Sequence, residues 1–359
     1  MRVIQMVSSL LPGDAVGNDT LAIQRALLEQ GYETEIYFGA ATEKTNSLGK
    51  PWDNLSLKKD DVLLYHHATG SDMCYKLEKF PCKKVMIYHN ITPPEFFEGF
   101  SRETQRGTRA GIRCTRYLAD KMDYCLADSE YNKQDLLDMG YTCPIDVRPI
   151  LIPFSDYEQE PDAATLEKYR DGVTNILFVG RIAPNKKFED IIRAFYYYKT
   201  QKNPNSRLIL VGSCGGMENY QQALEQYVRQ LGLEQSVVFS GHVSFPQILA
   251  FYHAADLFLC MSEHEGFCVP LVEAMFFGVP IVAYASTAIP STLGGSGFLL
   301  NQKDPVLAGE VMHRVLTDEQ LKAQLIAGQK KRLEDFSYEK VSAQLIAYLQ
   351  AFFGGENKR

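Results

Sequence analysis

Leu257-Phe258-Leu259-Cys260-Met261-Ser262-Glu263-His264-Glu265-Gly266-Phe267-Cys268-Val269-Pro270-Leu271-Val272-Glu273-Ala274-Met275 runs from a short apolar segment, through a polar loop, into an apolar helix. The apolar run Leu257–Met261, bounded by Asp256 and Ser262, reads as a buried strand over Leu257–Cys260. Pro270 suits the first turn of a helix, where its missing N–H costs nothing. Glu273 then lies about one turn inside a helix whose other residues are apolar nearly all round. A strand, a loop and a helix in that order form the unit of a parallel α/β sheet.

The unit recurs in both directions. After position 174, Ile176–Val179, Leu208–Val211, Val237–Phe239, Leu257–Cys260 and Ile281–Ala283 read as strands, with helical patterns such as Tyr220–Leu231 and Phe245–His253 between them. Before it, Val3–Val7, Glu35–Phe38, Val62–Tyr65, Val85–Tyr88 and Tyr124–Ala127 form a second series. Gly13–Gly17 reads as a loop, with Asn18 or Asp19 capping the helix that ends at Gly31. The proline- and acid-rich stretch Pro149–Pro161 reads as the linker. The expectation is two Rossmann-like, doubly wound parallel-sheet domains, 1–153 and 154–337, facing across a cleft. A helix in 338–359 is expected to pack back on the first domain. In open parallel sheets, ligands sit at the carboxyl ends of strands, where the polar loops of both series fall.

With 359 residues the chain exceeds what one core usually supports. A net charge of -7 argues against nucleic acid as the main partner. The eight cysteines include no Cys-x-x-Cys pair and no zinc-ligand spacing, so they read as free thiols of a reducing compartment. Val3–Leu11 is interrupted at Pro12-Gly13-Asp14 and reads as a strand rather than a signal peptide. No apolar run approaches about 18 residues, and the expected location is cytoplasmic.

Two stretches carry chemistry. Burying the Glu273 carboxylate unpaired would cost several kcal/mol, so it needs either vicinal hydroxyls, as on a ribose, or a protein partner such as an Arg or a backbone amide. Phe178-Val179-Gly180-Arg181-Ile182-Ala183-Pro184-Asn185-Lys186-Lys187 places a planar guanidinium and an ammonium in one loop after a strand. That pair suits a diphosphate; the alternative is a solvated basic loop. No Asp-x-Asp pair occurs to hold a divalent metal.

Glu265-x7-Glu273 within E-G-F-x-x-P-x-x-E-A-M, preceded by G-R-x-x-x-x-K at Gly180–Lys186, resembles the family 4 glycosyltransferases, which are GT-B, retaining and metal-independent. The resemblance spans about Asn175–Ala283 closely. It continues more loosely at Val16-Gly17, Tyr88-His89-Asn90 and Ala127-Asp128-Ser129. It implies that Arg181 and Lys186 hold the donor diphosphate, that Glu273 binds ribose and that Glu265 binds hydroxyls of the donor sugar. The backbone of Gly266, Phe267 and Cys268 would touch the sugar, the Gly17 amide a phosphate, and His89 would sit by the reacting centre. The nucleotide base is expected near Gly212 and Val243. Three positions depart from the family pattern: Val16, Cys268 and Lys187 stand where glycine is usual.

These expectations make the chain a hexosyltransferase using a UDP- or GDP-linked sugar as substrate, with no cofactor and no metal. The acceptor would be a carbohydrate or a lipid-linked carbohydrate in cell-surface polysaccharide synthesis, with Asp14, Asn18, His66, Arg102 and Arg106 as candidate contacts. A same-face attack is expected, the proton going to the leaving phosphate or to His89. A GT-B sugar-nucleotide epimerase and a non-catalytic sugar-nucleotide-binding protein are the alternatives. A Rossmann oxidoreductase is disfavoured, because Gly13-x-x-x-Gly17 is not a Gly-x-Gly-x-x-Gly turn. Finally, Arg102, Arg106, Arg109, Arg113 and Arg116 recur at spacings of four and three, one stripe of a helix weakened by Gly107 and Gly111. The stripe suits an anionic partner, membrane headgroups or a lipid-linked pyrophosphate, or else a solvated face partly neutralised by Glu95, Glu98, Glu103 and Asp120.

Overall fold

The computed structural model describes residues 2–11 and 13–354. The expectations touching Met1, Pro12 and 355–359 lie outside them.

The described chain forms two compact units. The first contains Met1–Pro93, Arg106–Pro153 and Asp335–Arg359. Its strands are β1 (Arg2–Leu10), β2 (Glu33–Ala41), β3 (Lys50–Pro51), β4 (Val62–His67), β5 (Lys83–Tyr88), β6 (Tyr124–Ala127) and β7 (Ile145–Val147). They pair in the order β3-β2-β1-β4-β5-β6-β7, all parallel. Helices α1 (Ala15–Glu29), α2 (Arg102–Leu118) and α3 (Glu130–Asp138) connect them. Alternation along the strands separates two apolar layers. Ile4, Met6, Leu63, Tyr65, Met86 and Tyr88 face one layer. Val3, Val62, Leu64, Val85, Ile87, Tyr124 and Leu126 face the other, closed by Ile23 and Leu27 of α1 and by Val341, Leu345 and Leu349 of the last helix, Tyr338–Gly354.

Three local readings of the sequence change. Helix α1 begins at Ala15 with Asp14 at its N-cap, so Gly17 lies in its first turn rather than in a loop. Asp19 is no cap; its carboxylate is fully buried and accepts from Arg148. Strands β3 and β7, two and three residues long, were too short to show as apolar runs. Gly111 also has a purpose that helix propensity hides, because a Cβ there would meet Ile91 Cδ1 at 2.8 Å and Gly70 N at 2.9 Å. A Cβ at Gly70 would meet Gly111 N at 2.7 Å and Gly107 O at 2.9 Å, so α2 packs backbone against backbone there.

The second unit contains Pro94–Gln105 and Phe154–Glu334. Its strands are β8 (Thr174–Val179), β9 (Ser206–Val211), β10 (Val237–Gly241), β11 (Leu257–Cys260), β12 (Ile281–Tyr284) and β13 (Phe298–Leu300), paired in parallel in the order β10-β9-β8-β11-β12-β13. Helices α4 (Ala163–Tyr169), α5 (Phe188–Gln201), α6 (Glu218–Gln230), α7 (Phe245–Ala254), α8 (Val269–Phe276), α9 (Ile289–Leu293), α10 (Pro305–Thr317) and α11 (Glu319–Leu333) lie between and after them. The chain passes between the units at 93/94, 105/106, 153/154 and 334/335, so Pro94–Gln105 groups with the second unit. Aromatic contacts explain it: Phe100 packs edge-on against Tyr220 at 5.0 Å, and Phe96 lies 6.1 Å from His264.

Candidate functional site

In the second unit two loops are laced together. The Asn185 side chain donates to His264 O at 3.0 Å, and Glu263 N donates to Asn185 O at 2.8 Å. This brings Lys186 Nζ to 2.6 Å from both oxygens of Glu265. Burial works against the Lys186 ammonium, but the Glu265 charge outweighs it and the pKa stays raised. Glu265 N donates to Thr287 Oγ1 at 2.9 Å, fixing the backbone just before α8.

Lys187 and Cys268, two of the positions where the family pattern has glycine, both carry positive φ, 53° and 73°. The left-handed conformation explains the usual glycine, since a Cβ costs about 1–2 kcal/mol there. Lys187 precedes α5 and Cys268 precedes α8, so each side chain sits at a sharp entry into a helix. Phe267 is buried and its carbonyl accepts from Thr292 Oγ1 at 2.6 Å.

Glu273 has protein partners of a kind the sequence did not suggest. Its oxygens accept from Tyr157 Oη at 3.0 Å and Tyr252 Oη at 2.6 Å. Burial raises its pKa, and the two hydroxyls pull in the other direction. Arg181 is exposed and in no ion pair among the described residues, so Lys186 and Glu265 meet while Arg181 and Glu273 stand apart from that contact. Gly212 has a packing reason to lack a side chain, because a Cβ there would lie 2.1 Å from Gly180 O. Val243 is partly exposed.

The first unit holds a second polar constellation. Gln5, His66, His89 and Asp128 follow apolar residues at period two on neighbouring strands: Val3 on β1, Val62 and Leu64 on β4, Val85 and Ile87 on β5, Tyr124 and Leu126 on β6. They therefore project from one face, Gln5 from the middle of β1 and the other three at the carboxyl ends of β4, β5 and β6. His66 Nε2 lies 2.9 Å from Gln5 Oε1, His66 Nδ1 lies 3.0 Å from His89 Nε2, and His89 Nδ1 lies 2.8 Å from Asp128 Oδ2. The two imidazoles stack at 5.3 Å, 7° from parallel. Arg148, following β7, extends the row, 3.8 Å from Asp128 Oδ1.

Burial disfavours a charged His89, but the Asp128 carboxylate and Asp19 outweigh it and raise the pKa. Burial and the nearby His89 push His66 well below the usual range, and burial takes His67 down to about 4. Burial raises Asp14, at the N-cap of α1, against the pull of the Gly17, Val16 and Ala15 amides and of His89. His66, an expected acceptor contact, is buried, whereas Asn18, Arg102 and Arg106 are exposed.

Two trios place ligand atoms within 4.8 Å of one another: Asp19, His66 and His89, and Cys260, Glu265 and Cys268. In the first, Arg148 and Leu151 N occupy the Asp19 oxygens, and the imidazoles are engaged with each other, Gln5 and Asp128. In the second, Lys186 occupies both Glu265 oxygens. Neither is arranged to receive a cation.

Residues 167–332 match a family model described as glycosyl transferases group 1. An uncharacterised glycosyltransferase of Methanocaldococcus jannaschii is 30% identical over 187 residues, 49% of this chain and 45% of that protein. A D-inositol 3-phosphate glycosyltransferase of Corynebacterium jeikeium is 27% identical over 222 residues, 58% of this chain and 52% of that protein. The crystal structure of Anabaena Alr3699/HepE in complex with UDP and glucose superposes with a TM-score of 0.76 at 18% identity, over 98% of this chain and 100% of that one.

The chain has the GT-B fold, and its residues 167–332 are similar to the group 1 glycosyl transferases.

This GT-B chain spans about half the length of the two curated relatives it matches. The E-x7-E and G-R-x-x-x-x-K stretches lie wholly within the matched segment. The partners of these groups were harder to read from sequence. Tyr157 and Tyr252 come from other elements, and Asp19 and Arg148 are 129 residues apart. Beyond the family resemblance at His89 and Asp128, the period-two alternation leading to Gln5, His66, His89 and Asp128 was the signal for the first-unit row.

Proposed function

We propose that the chain is a retaining, metal-independent glycosyltransferase of the family 4 type. It moves a hexose from a UDP- or GDP-linked donor to a carbohydrate or lipid-linked carbohydrate in cell-surface polysaccharide synthesis. The observation that carries the reading is the Lys186–Glu265 contact at the entry to α8, with Glu273 one turn on. The matched family model, the named glycosyltransferase relatives and a structural neighbour holding UDP and glucose support it.

In this reading Lys186 leaves Glu265 to meet the donor diphosphate, joined by the unpaired Arg181. Glu265 then accepts from sugar hydroxyls, and Glu273 uses its remaining lone pairs for ribose. The bond from the anomeric carbon to the phosphate oxygen breaks, and the electron pair leaves with the diphosphate. The acceptor oxygen attacks the same face and its proton passes to the leaving phosphate. Preorganised cations and the free amides at the N-terminus of α8 stabilise the growing negative charge; removing one such donor commonly costs about 100-fold or more.

The exposed stripe Arg102, Arg106, Arg109, Arg113 and Arg116 is in no ion pair among the described residues, and Asp120 pairs with Lys121 instead. It supports a peripheral role on an anionic cytoplasmic leaflet. No described helix is long and apolar enough to cross a membrane.

The test is donor turnover with EDTA present, in wild type and Glu265→Ala. Turnover in the wild type only, with the product anomer matching the donor, is expected. Activity lost on chelation and restored by magnesium would overturn metal independence, and an unchanged Glu265→Ala rate would overturn the site. Retention on anionic vesicles at low salt, lost in the five-arginine variant, tests the stripe; no retention ends that part.

A further inference from the structure

The row across β1, β4, β5 and β6 has a direction. Gln5 turns its carbonyl oxygen, an acceptor only, to His66 Nε2 at 2.9 Å. With the amide set this way, the Gln5 Nε2 left without a partner, His66 carries its proton on Nε2 and presents Nδ1 as a lone pair; the buried charges of Asp19 and Asp128 favour this orientation over the flipped one. That lone pair faces His89 Nε2 at 3.0 Å, so His89 Nε2 must donate. His89 Nδ1 also donates, to the Asp128 carboxylate at 2.8 Å. An imidazole that donates from both nitrogens is a cation.

The buried charges ask for the same state. Asp19 and Asp128 are two carboxylates without solvent, and Arg148 is the one guanidinium between them, closed on Asp19 and 3.8 Å from Asp128. One proton must therefore sit on the His89–Asp128 pair; burial raises Asp128, but the carboxylates of Asp128 and Asp19 raise His89 too and keep the proton on the imidazole. The other titratable groups near His89 are Asp14 on α1, whose charge would add to the demand, and His66 and His67 on β4, both held neutral by burial.

We propose that Gln5 and His66 are positioning residues that hold His89 as a fixed imidazolium, making it a buried source of positive charge rather than a proton acceptor. The consequence for the reaction rests on the transferase reading above. With both nitrogens protonated, His89 has no lone pair for the acceptor's proton. Of the two routes the sequence left open, transfer to the leaving phosphate remains, and His89 contributes by favouring negative charge nearby.

The arrangement itself is independent of activity and can be read in the full-length protein. Long-range proton–nitrogen correlation spectra of histidine-labelled protein at about pH 7.5, assigned with His66→Asn and His89→Asn, report the state of each ring nitrogen. The expected pattern is two protonated nitrogens on His89 and an Nε2–H tautomer on His66. A His89 with one bare nitrogen and a His66 protonated on Nδ1 would overturn the proposal. Gln5→Met removes the terminal acceptor and keeps the volume. The lost bond joins two neutral groups, so the His89 titration should fall by up to about one pH unit, which is what a bond of that kind is worth. Where turnover is measurable, kcat should fall about tenfold or more while KM holds, and Gln5→Asn should recover part of the loss only if its shorter amide reaches His66. An unmoved His89 titration in Gln5→Met sinks the relay. An intact spectroscopic pattern in a protein without transferase activity sinks only the functional reading.

Discussion

Arg148 sets both of its terminal nitrogens on the Asp19 carboxylate, at 2.9 and 2.7 Å, with neither side chain exposed. The same carboxylate accepts from Leu151 N at 2.7 Å. One contact thereby ties α1 to the segment after β7. Removing one member of a buried pair strands the other's charge, at about 3–5 kcal/mol. Arg148→Met and Asp19→Leu should each lower the unfolding free energy of the first unit by that amount in urea titrations. The double variant should cost less than the two singles combined, because it strands no charge. Single variants within about 1 kcal/mol of wild type would mean the pair is not closed in solution.

The raised His89 titration has a sign that can be followed. A histidine whose folded pKa lies above its ordinary 6.5 contributes stability that is fully present below 6.5 and is lost as pH rises through the folded value. His66 and His67, held down by burial, act in the opposite sense, losing stability as pH drops below 6.5. Thermal midpoints should therefore decline on the alkaline side of 6.5, and His89→Gln should flatten that decline while leaving the acid limb. An unchanged alkaline limb in His89→Gln would assign it elsewhere.

Glu273 is held by two phenols rather than by a cation. A hydrogen bond to a charged group is worth about 1.5–3 kcal/mol, so Tyr252→Phe and Tyr157→Phe should each destabilise the second unit by that order. Tyr252→Phe, which removes the 2.6 Å bond, should have the larger effect. Because both hydroxyls lower the Glu273 pKa, each variant should push that titration further up. Chemical unfolding followed across the acid range separates the two effects; indifference to both substitutions would contradict the contacts.

Lys187 at φ 53° offers the reverse case. Glycine removes a left-handed cost of about 1–2 kcal/mol but adds about 0.5–1 kcal/mol of chain entropy. The Lys187 pairs with Glu263 and Glu189, at 3.2 and 3.7 Å, are partly exposed and weak. Lys187→Gly should stabilise by about 0.5 kcal/mol. Cys268→Gly should be near neutral, since the buried thiol is lost with the strain. A net loss above about 1 kcal/mol at Lys187 would show that its ion pairs matter more than its backbone.

The two-sheet architecture was readable because the parallel strands, buried on both faces, leave apolar runs such as Val62–Tyr65 and Leu257–Cys260 that need no long-range knowledge. β3 and β7 escaped because two or three residues carry no period. Charged residues such as Lys186 and Glu265 stood out by type and spacing. Their partners did not, because a carboxylate does not record in the chain whether an ammonium or a phenol will meet it. Asp19 shows this best: in sequence it passes for a cap, and only the fold brings Arg148 to it across 129 residues.

Gly212 carries a practical consequence. Its α-carbon stands so near the Gly180 carbonyl that even a methyl group would drive the ends of β8 and β9 apart. A substitution library along this edge should therefore leave 212 untouched and diversify the exposed His242 and the partly exposed Val243, where new side chains can be tried without prying the sheet open.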